Sequence, residues 1–288
     1  MVVEIGDEPP IILDLGTGLR PLGLELDSSR TRGVPFHLTA FLSHLHWDHI
    51  IGLPFFTTAH DPMTELDIYG PPQDDGSTLH DVFDRVLHPP FFPVNVTELK
   101  GDIKLKEAFN ETICVGSAKV MVRQVPHVGT TLGFRIEADG GSVAFVSDHQ
   151  QPRDPTFVDS NVLELCDGVD LLIHDSQYTP EEFEWKSDWG HSTVAYAVHV
   201  AKESGVKKLA LFHHDPLRVD DDIDKLLEDA RSMDEASDIA SVVAASEGLT
   251  LDVGTSNGSN GSNGSNGSGS YANGNGSRNR DPVARERA

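Results

Sequence analysis

The sequence is poor in the features of a secreted, membrane-spanning or nucleic-acid-coating protein. Cys114 and Cys166 are its two cysteines, too few for a disulfide framework; a reducing compartment is natural and both thiols are expected in the core. No run of about 18 consecutive apolar residues occurs, so no membrane span is expected. The opening MVVEIGDEPP lacks the basic-then-apolar pattern of a secretory leader, and the expected location is the cytoplasm. Positive charge is scarce: 22 Lys and Arg stand against 46 Asp and Glu, giving −24. Such a field repels a phosphate backbone, which argues against nucleic acid as a partner and favours small substrates. Asp14-Leu15-Gly16-Thr17-Gly18 lacks the third glycine of a dinucleotide fingerprint and reads as a turn.

What is present suits one α/β domain. Of 288 residues, 38% are apolar, enough for a sizeable core. Composition changes at residue 254. Residues 255–288 are a Gly/Asn/Ser repeat whose few apolar groups cannot offset ordering entropy, so a disordered tail is predicted there and a single domain over 1–254. The tail carries four arginines against Asp281 and Glu286, so the acidity belongs to the domain.

Apolar patterning predicts a hairpin of strands at 2–5 and 11–15. Further strands are expected at 36–42, 66–69, 119–125, 131–138, 142–146, 170–173, 207–212, 239–244 and 249–253. Helices are expected at 50–57, 77–87, 193–203 (capped by Ser192) and 220–233. Strands come in hairpins as well as alternating with helices, which fits two layered mixed sheets better than one doubly wound sheet.

The chemistry concentrates in AFLSHLHWDHIIGLPFF. An apolar strand ends in His44 and His46, which lie two apart and so point the same way from extended backbone. Asp48 and His49 follow where the chain turns into a helix. Four metal-competent side chains within six residues suit a binuclear site, and imidazoles with a carboxylate suit zinc, iron or manganese. His127, Asp148 and His213 each follow a predicted strand and extend the candidate ligand set.

With its His44-x-His46-x-Asp48-His49 motif, the chain resembles the metallo-β-lactamase-fold hydrolases from about residue 11 to 253. That resemblance implies a four-layer αββα sandwich. His44, His46 and His127 would bind one divalent metal, Asp48, His49 and His213 a second, and Asp148 would bridge them. Zinc is the expected metal, with manganese or iron as alternatives, and a hydroxide between the ions would be the nucleophile. Asp14 would support the metal loop. IHDSQY and WGHST, at residues 173–178 and 189–193, resemble motifs of the RNase Z-like phosphodiesterase branch. In that branch His191 would protonate the leaving oxygen and Asp175 would orient it.

Departures from the pattern refine the expectation. RNase Z enzymes of the bacterial type carry a tRNA-gripping arm between the third His and the bridging Asp. Here only one compact hairpin separates His127 from Asp148. The expected substrate is therefore a small phosphodiester, such as a cyclic nucleotide or cyclic sugar phosphate. Lactone, thioester or β-lactam hydrolysis is the alternative, followed by tRNA cleavage and iron-dependent redox chemistry. Against the redox reading, diiron reductases replace the second His of the motif with Glu, and His46 is retained. Trp47 stands where relatives often have Gly. Phe55–Phe56 and 91–93 are candidates for an apolar substrate lip. His149 and His214, adjacent to candidate ligands, are alternatives to them. Relatives are often dimers, so a homodimer is the assembly to test for.

Overall fold

The structure, a computed structural model, describes residues 1–31 and 33–254, and the predicted tail lies outside the described residues. One sheet holds β1 (Val2–Val3), β2 (Ile11–Leu13), β3 (Phe36–Phe41), β4 (Thr64–Gly70) and β5 (Asp102–Glu107), side by side in that order. β1 and β2 form the expected hairpin, and the other pairs are parallel. The second sheet holds β6 (Thr112–Val115), β7 (Ala118–Val125), β8 (Thr131–Ala138), β9 (Gly141–Val146), β10 (Leu171–Asp175), β11 (Lys208–Phe212) and β12 (Ser241–Ala244). Its pairings are antiparallel from β6 to β9 and parallel from β9 to β12.

Alternation along the strands divides the apolar residues into three layers of core. Ile11, Leu13 and Phe41 face Val120, Val122, Phe134, Phe145 and Ile173 between the sheets. The opposite face of the first sheet (Ile12, Leu38, Ala40, Ile68) packs on Leu19 of α1 (Leu19–Ser29) and Phe83 of α3 (Leu79–Val86). The outer face of the second sheet packs on α4 (Ser160–Cys166), α6 (Val194–Glu203) and α7 (Asp220–Ser232). Two further helices, α2 (Trp47–Ile50) and α5 (Pro180–Lys186), are short. The result is the αββα sandwich of two mixed sheets. Phe41 ties its halves together, stacking on Tyr69 with ring centroids 5.3 Å apart and meeting Phe134 of the other sheet at 5.5 Å.

Four expectations are corrected. No helix spans 50–57: after α2 the chain makes 3₁₀ turns at Leu53–Phe55 and Thr57–His60. The Gly52 N–H donates to the Leu15 carbonyl at 2.8 Å instead of continuing the helix, in a close approach that leaves no room for a Cβ beside Gly16. Residues 249–253 form no strand, although Leu251 and Val253 pack against the inter-sheet core, so their alternation reports burial without pairing. Thr193 rather than Ser192 caps α6, accepting from the Tyr196 N–H at 3.1 Å. Cys114 is exposed, because β6 is an edge strand whose alternate residues face outward.

α1, α4, α5, β5 and β6 escape the pattern reading. Pro21 and Gly23 blur α1, where Gly23 lets the helix approach Thr57 and Phe56 closely. The strand β5, DIKLKE, reads as a charged segment because it is an edge strand carrying lysines.

Candidate metal centre

The site is built at the carboxyl ends of strands from both sheets. β7 and β9 are each antiparallel to β8, so β7, β9, β10 and β11 run in one direction. His127, Asp148 and His213 follow the ends of β7, β9 and β11, and Asp175 closes β10. From the first sheet, β3 leads into Ser43, His44 and His46, and α2 at once carries Asp48 and His49. Leu132 N–H donates to the Ser43 carbonyl at 2.9 Å, joining the two edges where the groups meet.

Three groupings of side chains converge, each with its ligand atoms within 4.8 Å of one another. The first holds His44, His46, His127 and Asp148, the second Asp48, His49 and His213, the third Asp148, His191 and His213. Asp148 Oδ2 lies 3.8 Å from both His44 Nε2 and His127 Nε2. Its other oxygen, Oδ1, lies 3.2 Å from His49 Nε2 and 3.6 Å from His213 Nε2. The buried carboxylate thus turns one oxygen to each of the first two groupings. Asp48 Oδ2 completes the second, 3.1 Å from His49 Nε2 and 3.2 Å from His213 Nε2.

Four of the rings are held from behind. Asp14 Oδ2 lies 2.8 Å from His49 Nδ1, while its Oδ1 accepts from the Ser43 N–H at 2.7 Å. His127 Nδ1–H donates to the Gly190 carbonyl at 2.7 Å, leaving Nε2 toward the cluster. The Gln177 amide meets His213 Nδ1 at 3.0 Å. Asp175 Oδ2 holds His191 Nδ1 at 2.8 Å and also accepts from the His149 N–H. Such partners fix the tautomer and orientation of a ligating imidazole. His213 itself has φ of +56°, a conformation L residues rarely adopt.

The electrostatics follow from burial and crowding. Burial, with the neighbouring His49, pushes His44 down to about 3. Burial also opposes charge on His49, yet the carboxylates of Asp14, Asp148 and Asp48 overcome it and hold the ring protonated far above its ordinary value. His213 is pushed up to about 9: burial is outweighed by Asp48, Asp148 and Asp175. Hydrogen bonds from His213 and His49 hold Asp48 well below the usual carboxylate range.

All nine residues singled out from the sequence meet here: His44, His46, Asp48, His49, His127, Asp148, Asp175, His191 and His213. Their neighbours His149 and His214 belong to none of the three groupings found among the described residues. His149 turns its Nδ1 to His174 Nε2, 2.9 Å away. Of the predicted lip, Phe56 is buried in the core, whereas Phe55 is exposed beside Phe92. Gln177 and Gly190 were missed. Both lie inside the quoted motifs, but neither residue type announces a histidine-orienting role.

The donor set suits two divalent cations. His44 Nε2 and His46 Nδ1 approach to 2.8 Å, and buried His49 Nε2 lies 3.2 Å from Asp148 Oδ1 and 3.1 Å from Asp48 Oδ2. Imidazole nitrogens and carboxylate oxygens so crowded are satisfied together by cations at their convergence, once the imidazoles are deprotonated. Residues 27–214 match the family described as Beta-lactamase superfamily domain. The chain belongs to this family, as a metallo-β-lactamase-fold, metal-dependent hydrolase. It is similar to a protein of Brevibacillus brevis named Ribonuclease Z, 29% identical over 231 residues, covering 66% of this chain and 71% of the relative. Among solved structures, the fold is shared with the metallo-β-lactamase fold protein YhfI from Bacillus subtilis (TM-score 0.61, 18% identity, covering 86% and 88% of the two chains). It is also shared with a diphosphatase from the PhnP family (TM-score 0.58, 19% identity, 87% and 82%). Among the described residues, no helix is long and apolar enough to cross a membrane.

Proposed function

We propose that this hydrolase cleaves a small phosphodiester at the two groupings bridged by Asp148. The observation that carries the reading is the His191–Asp175 pair at 2.8 Å, set beside Asp148 and His213. His44, His46 and His127 would hold one divalent ion, Asp48, His49 and His213 the other, with Asp148 shared. Such ions supply Lewis acidity and lower the pKa of bound water toward neutrality.

The chain's own residues do the rest. Asp175 accepts from His191 Nδ1–H and stabilises the charged imidazole, which leaves Nε2 to deliver a proton to the departing alkoxide. Asp14, Gly190 and Gln177 orient His49, His127 and His213. The small size of the substrate is supported by the chain's charge of −24. It is also supported by the hairpin between His127 and Asp148, which closes in a two-residue turn, Asp139–Gly140, with both residues at positive φ. A second reading, cleavage of RNA, is favoured by the relatives named Ribonuclease Z.

The test is turnover by zinc-, manganese- or iron-loaded protein on a panel of phosphodiesters, lactones, thioesters and a precursor tRNA. His191→Ala is expected to cost about 10²–10⁴-fold on an alkyl leaving group and much less on 4-nitrophenolate, which leaves without a proton. Turnover of acyl substrates alone, or of the tRNA alone, would remove the small-phosphodiester reading. Full alkyl-ester activity in the His191→Ala protein would remove the proton donor.

A further inference from the structure

The chain has three tryptophans, and Trp47, Trp185 and Trp189 are 60%, 63% and 56% exposed. Single exposed hydrophobic residues are ordinary. Here the side chains best suited to burial by size are all turned outward, and two of them neighbour cluster residues in sequence. Trp47 lies between His46 and Asp48. Trp189 precedes Gly190, whose carbonyl holds His127, and lies two residues before His191.

Trp185 and Trp189 are also held in place. Their rings meet edge to face at 5.9 Å. The Lys186 ammonium lies 4.8 Å from the first ring, 5.6 Å from the second and 4.6 Å from Tyr178, and it pairs with Asp215 at 3.1 Å. Lys186 is buried, so its charge is engaged in holding this group rather than in meeting an anion. Nearby Arg218 is similarly engaged, by Glu182 and by the Gln177 carbonyl. With Lys186 and Arg218 paired, what this face offers a substrate bound at the cluster is aromatic surface rather than positive charge.

We infer that the Trp185–Trp189 face stacks the base of a single nucleotide whose phosphodiester lies at the Asp148-bridged cluster. The inference rests on the phosphodiester reading and narrows it from cyclic nucleotides or sugar phosphates to nucleotides. Base stacking on aromatic side chains is tolerant of sequence and needs no cation. Indoles already fixed in place lose little freedom when a base settles on them.

The experiment compares binding of adenosine 5′-monophosphate and ribose 5-phosphate to the metal-loaded full chain by calorimetry. The phosphate is common to both ligands, so the difference reports the base. The mononucleotide is expected to bind about tenfold tighter or more, within the range that stacking delivers. Trp189→Leu should abolish that difference while metal content, measured separately, stays at wild type, and Trp189→Phe should retain most of it. Equal affinities for the two ligands, or a Trp189→Leu protein that still prefers the mononucleotide, would overturn the inference. So would a short oligoribonucleotide binding more than tenfold tighter than the mononucleotide. A retained base preference in a protein that hydrolyses no phosphodiester would uphold the stacking face and remove the phosphodiester reading alone.

Discussion

Asp14 reaches the cluster through His49: one carboxylate oxygen lies 2.8 Å from His49 Nδ1, and the other takes the Ser43 N–H. Its backbone sits at φ +61°, in the left-handed region that Asp and Asn tolerate. Asp14→Asn therefore keeps the turn and removes the charge. Metal affinity is expected to fall about 10–100-fold, as for other carboxylates that orient a ligating imidazole. Competition with a chromophoric chelator measures it, and unchanged affinity would show that Ser43 alone orders the loop.

Gly190 is required on two counts. Its φ is +96°, and a Cβ there would lie 2.4 Å from His127 Cε1. Gly190→Ala is expected to cost about 1–3 kcal/mol of stability and to displace His127 from the first grouping. Thermal melting and metal analysis check both, the metal content falling toward one equivalent.

Proton release should accompany metal uptake. In the metal-free chain His49 is held protonated, and His213 titrates near 9. A cation must displace these protons, so affinity rises as pH climbs toward 9. Calorimetry in buffers of differing ionisation enthalpy should show net proton release at pH 7. The metal-free protein has the opposite dependence. The raised His213 contributes stability that is complete below its unfolded value of about 6.5 and is lost as pH rises through about 9. Denaturant melts of the metal-free and zinc-loaded forms from pH 6 to 9.5 should diverge.

The two thiols should behave differently. Cys114 is exposed, whereas Cys166 is buried, and burial pushes its thiol up to about 12. A disulfide reagent at pH 8 should modify one thiol in the native chain and two in denaturant. Rapid native modification of both would mean that α4 opens readily.

How legible this was depended on scale. Long strands with an apolar face, such as β7 and β8, and the dense His44–His49 motif are local signals that survive in sequence. His127, Asp148 and His213 each stand just beyond a strand's carboxyl end, which made them readable as a set. What tertiary contact decides was not readable. Gly23 makes α1 possible against Thr57 although glycine disfavours helices. Gly52 gives its N–H to Leu15 rather than to the helix ladder, and residues 50–57 leave the helix there. Gln177 looks like any polar residue until the fold carries it to His213.

The groupings differ in how much chain they need. The first is complete once residue 148 has been made, whereas the second draws on His213. Both take side chains from each sheet, so neither can form before the two layers dock. Contacts so distant in sequence are slow to close, and a chain emerging from the ribosome would present the ligands of one grouping before those of the other. A synthesis stalled between residues 190 and 213 would therefore leave the ligands of the first grouping in place, with the carbonyl that orients His127, and the second still lacking His213.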